Sequence, residues 1–239
     1  MSSGKVTLVT GSARGLGLAV ARHLRDRGDA VHVVYRADNE RAAALRDEHG
    51  ARAHQADLLE PADATRLVDA VLREDGRLDH VVHCVGEYVS GALEDTSHAD
   101  VVRMWRSNAE SSLILFDAAR SALRAAHGRA VFFGTAGLGG LRGRRETAAY
   151  AAAKSALLVL VRGWAFEEAS HGVTVNMVSP GLIPHDAAHP DTHDTERQGR
   201  APMGAGAPED IARAVAFLCS DDAGHTTGTD LLVTGGWML

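Results

Sequence analysis

The feature that most constrains this chain is a glycine-rich turn close to its start. A β-branched stretch, Lys5–Thr10, runs directly into Gly11-Ser12-Ala13-Arg14-Gly15-Leu16-Gly17, and an amphipathic helical pattern follows at once. Glycines at a strand-to-helix turn let the backbone approach a pyrophosphate, and the helix N-terminus presents unpaired N–H groups to it. The turn therefore predicts a dinucleotide site, with a turn that binds nothing as the alternative. Its spacing, Gly-x-x-x-Gly-x-Gly, differs from the commoner Gly-x-Gly-x-x-Gly.

Short apolar stretches alternate with longer amphipathic ones along the whole chain. The predicted strands are Lys5–Thr10, Ala30–Tyr35, Ala51–Ala56, Leu78–Cys84, Arg129–Thr135, Val173–Val178 and Asp230–Thr234. The predicted helices are Gly15–Arg27, Asn39–Glu48, Pro61–Glu74, Ala99–Ala126, Ala148–Ser170 and Pro208–Cys219. This alternation predicts an α/β fold of the Rossmann type: a doubly wound, seven-stranded parallel sheet flanked by helices. No linker or repeat divides the chain, so we expect a single domain over residues 1–239, with the irregular stretch 180–207 as a substrate lid.

The composition narrows the class of function. The chain has 239 residues, with 25 Lys and Arg against 31 Asp and Glu, so its formal charge is −6. A mildly acidic chain repels nucleic-acid phosphates, and no apolar run is long enough to cross a membrane. A chain with so large a core does not need a disulfide between its two cysteines, Cys84 and Cys219, to stabilise the fold. We therefore expect a cytoplasmic protein with neither nucleic acid nor membrane as a partner.

Two arginines predict which dinucleotide binds. Sites for NAD usually have an acidic residue after the second strand, where it contacts the ribose 2′-hydroxyl. This chain has Tyr35-Arg36 at that point and Arg14 inside the glycine turn, although Asp38 lies close by. Guanidinium groups form bidentate contacts with phosphate. The pair predicts a preference for NADP(H) over NAD(H), with NAD(H) as a possible second cofactor and solvated surface arginines as the alternative.

A tyrosine and a lysine lie four residues apart in the helical stretch Ala148–Ser170. Tyr150 and Lys154 therefore share one helix face. A nearby ammonium group favours the phenolate and is expected to lower the tyrosine pKa. A phenol of this kind donates a proton to a carbonyl oxygen, or removes one from an alcohol in the reverse direction. A tyrosine and a lysine at this spacing are common by chance, and a surface pair without function is the alternative. Because the pair follows a glycine turn in the same chain, it predicts a reductase.

Together these motifs resemble the short-chain dehydrogenase/reductase family in its single-domain form, over essentially the whole chain. The residues that carry the resemblance are Thr10, Gly11, Gly15, Gly17, Asp57, the turn His83-Cys84-Val85-Gly86, Asn108, Tyr150, Lys154, Pro180-Gly181 and Gly235-Gly236. The segments Arg200–Gly204, Pro208–Ala212 and Leu231–Trp237 are similar to those of the 3-oxoacyl-carrier-protein reductase-like branch. The resemblance implies an enzyme that reduces a ketone with NADPH and forms a homotetramer or homodimer. The substrates it implies are small carbonyl compounds or alcohols, with acyl thioesters on a carrier protein or coenzyme A as one class.

The resemblance also implies a role for individual residues. Tyr150 would be the general acid, Lys154 would hold the nicotinamide ribose, and Asn108 would hold a water in a proton relay. Asp57 would contact adenine, and the Ile183 backbone would contact the carboxamide. The cofactor-binding residues implied are Gly11, Ser12, Arg14, Gly15, Leu16, Gly17, Tyr35, Arg36, Asp57, Leu58, Cys84, Val85, Gly86, Tyr150, Lys154, Pro180, Gly181 and Ile183. No metal ligand is predicted.

The chain departs from the family pattern at two predicted strand ends. Where the family has a serine, this chain has Thr135, fifteen residues before the tyrosine. Threonine keeps the hydroxyl donor, so Thr135 is the candidate for orienting the carbonyl, with a mere strand end as the alternative. The turn usually written Asn-Asn-Ala-Gly is His83-Cys84-Val85-Gly86 here. We expect His83 to hydrogen-bond the backbone as asparagine does, and Cys84 to be a small hydrophobic residue rather than a reactive thiol.

Two polar segments have open interpretations. Arg142-Gly143-Arg144-Arg145 is either a solvated loop or a basic patch near the substrate mouth that attracts an acidic handle. His185, His189 and His193 recur every four residues, but the intervening prolines favour a polar lid over a metal face. Two other functions also stay open: an alcohol dehydrogenase working in the oxidative direction, and a protein that senses NADP without turnover.

Overall fold

The computed structural model describes residues 4–140, 143–184 and 201–238, in which seven parallel strands form one sheet. The strands are β1 Val6–Thr10, β2 Ala30–Tyr35, β3 Ala53–Gln55, β4 His80–His83, β5 Arg129–Phe133, β6 Thr174–Pro180 and β7 Asp230–Val233. Their order across the sheet is β3-β2-β1-β4-β5-β6-β7. The predicted doubly wound parallel sheet is therefore confirmed, with several strands shorter than the apolar stretches suggested.

Helices cover both faces of the sheet. In the described part of the chain they are α1 Gly15–Asp26, α2 Glu40–His49, α3 Pro61–Asp75, α4 His98–Trp105, α5 Ser111–Ala126, α6 Ala148–Glu168 and α7 Pro208–Leu218. One hydrophobic cluster joins the sheet to α3, α5 and α6, and a second joins it to α1, α2 and α7. Because both faces are covered, the strands are apolar along their whole length, as expected for a parallel sheet.

The direction of winding reverses between β1 and β4, which are neighbours in the sheet. Val9 pairs with Val82, and Thr10 pairs with His83. The glycine turn after β1 and the turn after β4 consequently lie side by side at the carboxyl edge of the sheet. In doubly wound sheets this reversal point is where ligands bind.

The predicted helix Ala99–Ala126 is instead two helices, α4 and α5, joined by a π-helical turn at Arg106–Glu110. Asn108 lies inside that turn, and its Nδ2 donates hydrogen bonds to the carbonyl oxygens of Met104 and Glu87, each at 2.9 Å. The Ser111 hydroxyl donates to the Ser107 carbonyl at 2.7 Å. Polar side chains that bond to backbone carbonyls disturb the regular helix, and such π turns are frequent at functional sites.

One helix is long and apolar enough to cross a membrane by length and composition alone. It covers Ala148–His171, and half of its most apolar window is buried inside the structure. Leu157 and Val161 on this helix are almost completely buried in the core cluster beneath the sheet. Packing in the core therefore accounts for its apolar composition.

Candidate active site

The carboxyl ends of the strands surround a cavity of about 450 Å³, a volume typical of sites for small ligands. Most of the residues predicted to act in binding or chemistry line it. They are Gly11, Arg14, Gly15, Leu16, Gly17, Arg36, Asp57, Leu58, Cys84, Val85, Gly86, Thr135, Tyr150, Lys154, Pro180 and Gly181. These residues are distant in sequence, so the sheet topology is what brings them together.

The glycine turn has the backbone geometry that only glycine tolerates. Gly11 and Gly15 have φ values of +69° and +55°, in the left-handed region. Gly17 packs so closely that a Cβ atom there would overlap the carbonyl oxygen of Gly11. The first turn of α1 consequently presents its backbone to the cavity, in the arrangement that suits a pyrophosphate.

Three residues predicted to bind the cofactor do not line the cavity. The Ser12 hydroxyl donates to the Val9 carbonyl at 2.9 Å and accepts from the Val34 amide at 2.8 Å. The Tyr35 ring is buried, and its hydroxyl accepts from Arg46 Nη1 at 3.2 Å. The Ser12 side chain thus supports the glycine turn and the Tyr35 side chain supports α2, so the cofactor contacts predicted for these two residues stay a prediction for their backbone atoms. The Ile183 side chain is buried in the core, while the contact predicted for its backbone stays a prediction.

His83 bonds to two hydroxyl groups, not to the backbone as expected. Its Nδ1 lies 2.7 Å from Thr10 Oγ1, and its Nε2 lies 3.1 Å from Ser111 Oγ. Because the Ser111 hydroxyl donates to the Ser107 carbonyl, His83 Nε2–H must donate to Ser111, and Nδ1 accepts from Thr10. The neutral imidazole therefore ties β1 to the helix segment that carries Asn108.

Two buried histidines make the stability of the fold depend on pH. Burial lowers the pKa of His83 to about 3 and that of His80 to about 4, whereas histidine in an unfolded chain has a pKa of about 6.5. Below that value the unfolded chain binds more protons than the folded chain. Stability is therefore lost as the pH falls from the unfolded pKa toward the folded one.

We expect the wild-type protein to lose about 2 kcal/mol more stability than a His83→Asn variant between about pH 7 and about pH 5. Asparagine keeps a donor and an acceptor but does not titrate. Urea unfolding of both proteins, at one protein concentration and at both pH values, measures the difference. An identical loss in the two proteins would show that His83 does not cause it.

Tyr150 lies in the first turn of α6, and its ring packs edge-to-face against Tyr88 with 5.0 Å between ring centres. The expected lowering of its pKa by Lys154 is wrong for this structure. Burial is the largest influence on the phenol and raises its pKa, Tyr88 raises it further, and Arg144 is the cation that lowers it. At neutral pH Tyr150 is consequently a protonated phenol, the form that donates a proton.

Lys154 lies one turn further along α6 and is only 3% exposed. Its Nζ donates to the Phe133 carbonyl at 2.7 Å and lies 5.7 Å from the centre of the Tyr150 ring. Burial lowers the pKa of Lys154 to about 8. The bond to Phe133 holds the ammonium group at the end of β5, on the cavity side of the sheet.

Asn108 lies behind the cavity lining, next to Gly86. Its buried Oδ1 has no hydrogen-bond partner among the described residues. A Cβ at Gly86 would overlap the Asn108 side chain and lie 3.2 Å from Lys154 Nζ. A buried acceptor without a donor costs free energy. The orphaned oxygen and the glycine cradle fit a site that receives further polar groups, as a nicotinamide ribose and a bridging water would supply.

Thr135 follows the end of β5 and is half-buried in the cavity lining together with Tyr150. The predicted strand Arg129–Thr135 ends two residues earlier than expected, at Phe133. Thr135 is thereby released from the sheet into the loop that leads to α6. Thr135 and Tyr150, which the sequence predicts to bond the same carbonyl oxygen, therefore line one cavity.

Arg14 and Arg36 both line the end of the cavity formed by the first two strands. Asp38, the acidic residue that contested the assignment, forms an ion pair with Arg46 at 2.8 Å. An ion pair partly neutralises this carboxylate. Asp38 is thus engaged with Arg46, while Arg14 and Arg36 belong to the lining of the cavity.

Several lining residues were not singled out from the sequence. They are Glu87, Tyr88, Ser107, Thr147, Leu182, Trp237 and Met238. Tyr88 follows the β4 turn, and Trp237 and Met238 come from the last residues of the described chain. None of these residues belongs to a motif that the sequence analysis used. The positions of Trp237 and Met238 depend on how the end of the described chain packs against the loop after β5.

Some sequence predictions lie outside the described residues. His185, His189, His193 and Arg142 are among them, so most of the predicted lid 180–207 is not described. Within residues 4–140, 143–184 and 201–238, no group of three His, Cys, Asp or Glu side chains is placed to hold a metal ion. Cys84 lines the cavity, and burial raises the pKa of its thiol, which keeps it protonated.

A doubly wound sheet with a glycine turn at its reversal point and a tyrosine–lysine pair beside it defines a nicotinamide-dependent oxidoreductase. A model of the family described as enoyl-(acyl carrier protein) reductase matches residues 11–238. The chain belongs to the short-chain dehydrogenase/reductase family and is an NAD(P)-dependent enzyme of that family.

Relatives of known name align over nearly all of the chain. It is 34% identical to the 3-oxoacyl-(acyl-carrier-protein) reductase FabG of Escherichia coli (strain K12), over 99% of this chain and 98% of that protein. It is also 34% identical to a probable tetrahydroxynaphthalene reductase of Zymoseptoria tritici, over 97% and 94%. Among solved structures, a blue fluorescent protein from a metagenomic library in complex with NADPH superposes with a TM-score of 0.88 at 31% identity, over 99% and 98% of the two chains.

Proposed function

We propose that this protein is an NADP-dependent reductase of ketones, with Tyr150 as the general acid. The observation that carries the proposal is that Tyr150, Thr135 and Lys154 open into the same cavity as the glycine turn and Arg36. One cavity can thus hold a dinucleotide and a carbonyl compound next to each other. The relative crystallised with NADPH supports the choice of cofactor class.

The side-chain chemistry of each site residue suits one role in the proposed reduction. The cavity would hold a reduced nicotinamide cofactor, which would supply the hydride when bound. Tyr150 donates its phenolic proton to the carbonyl oxygen, and the Thr135 hydroxyl holds that oxygen by a hydrogen bond. Lys154 would hold the ribose hydroxyls of the cofactor, and Asn108 would offer its buried Oδ1 to a water that returns a proton to Tyr150. Gly11, Gly15 and Gly17 present backbone N–H groups to the pyrophosphate.

The role of Thr135 can be tested with two substitutions. We expect Thr135→Val to lower kcat for ketone reduction by about 100-fold, because valine matches the shape but removes one donor to the developing oxyanion. Thr135→Ser is the matched control and is expected to keep most of the activity. Steady-state kinetics with NADPH in excess measure both. Full kcat in the valine variant would remove Thr135 from the proposed mechanism.

The preference for NADP can be tested at Arg36. We expect Arg36→Ala to weaken NADPH binding by about 10- to 100-fold, the effect of losing a hydrogen bond to a charged group, and to leave NADH binding unchanged. Arg41→Ala removes an exposed arginine of α2 and serves as the control for net charge. Fluorescence titration with each cofactor measures the dissociation constants. Equal losses for NADPH and NADH would contradict a contact with the 2′-phosphate.

The substrate is proposed as a 3-oxoacyl thioester or a related ketone, because relatives of this chain include reductases of that name. A carrier protein or coenzyme A would then deliver the acyl group. Oxidation of a secondary alcohol is the same chemistry in reverse, and its direction depends on the cofactor ratio. A panel of ketones and alcohols assayed with both cofactors separates reductase, dehydrogenase and NADP-sensing protein.

The chain is also proposed to be a cytoplasmic homo-oligomer, a tetramer or dimer. Helices α4 and α6 expose apolar side chains to solvent, including Phe166 at 88%, Val159 at 69% and Trp105 at 46%. Such side chains are typical of association surfaces where they form one contiguous patch. Both cysteines are free thiols, in keeping with a reducing compartment. Light scattering of the purified chain measures its mass in solution.

A further inference from the structure

Aromatic side chains are few in this chain but gather beside the proposed carbonyl ligands. The sequence has three tyrosines and three tryptophans, and Tyr88, Tyr150 and Trp237 line the cavity together with Met238. Tyr150 is the proposed general acid, whereas the other three side chains have no part in the proposed reduction. Their place in the lining makes them candidates for contact with the substrate.

Tyr88 forms one wall of the cavity, next to the general acid. Its ring meets the Tyr150 ring edge-to-face, with 5.0 Å between the ring centres and 82° between the planes. The preceding residue, Glu87, is held by its backbone: the amide donates to Ser107 Oγ at 3.1 Å, and the carbonyl accepts from Asn108 Nδ2 at 2.9 Å. The π-helical turn thus fixes the backbone next to Tyr88, so this wall belongs to a rigid part of the site.

Trp237 and Met238 form a second wall, which comes from the end of the described chain. The Trp237 amide donates to the Thr234 carbonyl at 3.0 Å, and this turn brings the chain from β7 toward the loop after β5. There Met238 Sδ lies 4.0 Å from Arg144 Nη1, and Met238 Cβ lies 3.3 Å from where a Cβ on Gly137 would be. Met238 has a φ of +57°, which is uncommon for a residue with a side chain. The contacts with the loop hold it in this conformation.

The two walls approach the proposed carbonyl ligands from opposite sides. β5 and β6 separate β4 from β7 in the sheet, so the chains that leave β4 and β7 start about 14 Å apart. Thr135, which follows β5, and Gly181, which follows β6, line the cavity between them. A group attached to a carbonyl held by Thr135 and Tyr150 therefore lies within reach of both walls.

The lining at this end suits a flat ring better than a flexible chain. Aromatic rings attract one another in offset-stacked or edge-to-face arrangements, beyond what burial of the same area gives, and the Met238 thioether adds a similar contact. A saturated chain gains from burial alone. Of the charged side chains nearby, Glu87 pairs with Arg103 at 2.7 Å. The two walls consequently favour an uncharged aromatic group.

We propose that Tyr88 and Trp237 are specificity-determining residues that bind an aromatic ring carried by the substrate one or two bonds from its ketone, with Met238 completing the second wall. This inference rests on the proposed function as a ketone reductase and names the substrate class of that same site. Reduction adds a hydride from NADPH to the carbonyl carbon and the Tyr150 proton to its oxygen, so the products are a secondary alcohol and NADP⁺. The ring itself is unchanged, because it serves for binding only.

Three methyl ketones with equal numbers of carbon atoms test this preference: phenylacetone, cyclohexylacetone and 2-nonanone. In each of them the carbonyl lies between a methyl and a methylene group, so its intrinsic reactivity is similar. We expect kcat/KM for phenylacetone to exceed the values for the other two ketones by about 10-fold, the effect of two aromatic contacts. Equal values for the three ketones with the wild-type protein would overturn the proposal.

Substitutions in each wall test the two residues separately. Trp237→Leu and Tyr88→Leu are each expected to lower the ratio of kcat/KM for phenylacetone to that for cyclohexylacetone by about 3-fold, the effect of one aromatic contact. Because both ketones take their proton from Tyr150, any change that Tyr88→Leu causes in that acid cancels in the ratio. An unchanged ratio in both leucine variants would overturn the proposal.

Three further variants serve as controls. Trp237→Phe and Tyr88→Phe keep an aromatic ring and are expected to keep most of the ratio. Phe217→Leu removes an exposed aromatic side chain of α7, outside the cavity lining, and is expected to leave the ratio unchanged. Thermal melting and circular dichroism show whether each variant is folded. If a leucine variant does not fold, the comparison of the three ketones with the wild-type protein decides.

A binding measurement separates failure of this inference from failure of the proposed function. Calorimetric titration with phenylacetone and with cyclohexylacetone is carried out with NADP⁺ present, which cannot reduce them. We expect phenylacetone to bind about 10-fold more tightly than cyclohexylacetone, and Trp237→Leu to reduce this difference. If no ketone is reduced but the difference is found, the proposed reaction is wrong and the aromatic walls stand. If ketones are reduced but the two compounds bind and react alike, the walls are wrong and the reductase stands.

Discussion

A Tyr150→Phe variant is expected to reduce ketones about 1,000 times more slowly than the wild type while binding NADPH with unchanged affinity. The substitution removes the phenolic oxygen and keeps the ring that packs against Tyr88. Loss of a positioned general acid typically costs 100- to 10,000-fold in rate, hence the estimate of about 1,000. Because burial raises the Tyr150 pKa, the group is protonated at neutral pH, and no other side chain in the described lining replaces it in the proposed mechanism.

Tyr35→Phe is the matched control for that result. Tyr35 was predicted to contact the cofactor, but its hydroxyl accepts from Arg46 outside the cavity. We expect this variant to keep both kcat and NADPH affinity. Stopped-flow reduction together with NADPH titration separates the chemical step from binding in both variants. Wild-type kcat in Tyr150→Phe would contradict the assignment of the general acid.

Replacement of Gly17 by alanine is expected to weaken NADPH binding by at least about 100-fold. The new Cβ would overlap the Gly11 carbonyl oxygen and lie 3.2 Å from Cys84 Cβ. Since the first of these neighbours is backbone, relief requires the glycine turn to move, and the turn is what presents N–H groups to the pyrophosphate. A 100-fold loss of affinity corresponds to about 2.7 kcal/mol of binding free energy.

Gly163→Ala provides the matched glycine control within α6. A Cβ at this position meets no heavy atom within 4 Å, and alanine is favoured over glycine in a helix by about 1 kcal/mol. We expect wild-type NADPH affinity and a slightly raised melting temperature. Calorimetric titration and thermal melting of both variants measure the two effects. Wild-type NADPH affinity in a folded Gly17→Ala protein would show that the turn does not hold the cofactor.

The sheet and most helices were predictable because each is specified locally. Apolar strands that alternate with amphipathic helices define a covered parallel sheet, whereas the order of the strands across it comes from the structure. The break between α4 and α5 was not predictable from periodicity. Asn108 and Ser111 bond there to backbone carbonyls one turn earlier, and Asn108 also bonds to the Glu87 carbonyl outside the helix. The bond to Glu87 exists only once the helix is packed.

The candidate site shows a similar division. Motif residues such as Gly17, Arg36 and Lys154 were located from their spacing, because the carboxyl ends of parallel strands share one edge. The orientation of side chains that depends on packing was not predictable. The Ser12 side chain, for example, points toward β2 and bonds to Val34. The direction of the Tyr150 pKa shift was predicted wrongly for the same reason. The spacing of tyrosine and lysine on a helix says nothing about how deeply the phenol is buried.

The most direct test of the proposed function is a single measurement on the wild-type protein. NADPH absorbance and formation of the alcohol are followed together across a panel of ketones of increasing chain length and ring size, with oxo acids among them. We expect NADPH to be consumed in equal amount to the alcohol formed, and much more slowly when NADH replaces it. NADPH that binds but is consumed with none of these ketones would contradict the proposed reductase and favour a protein that senses the cofactor.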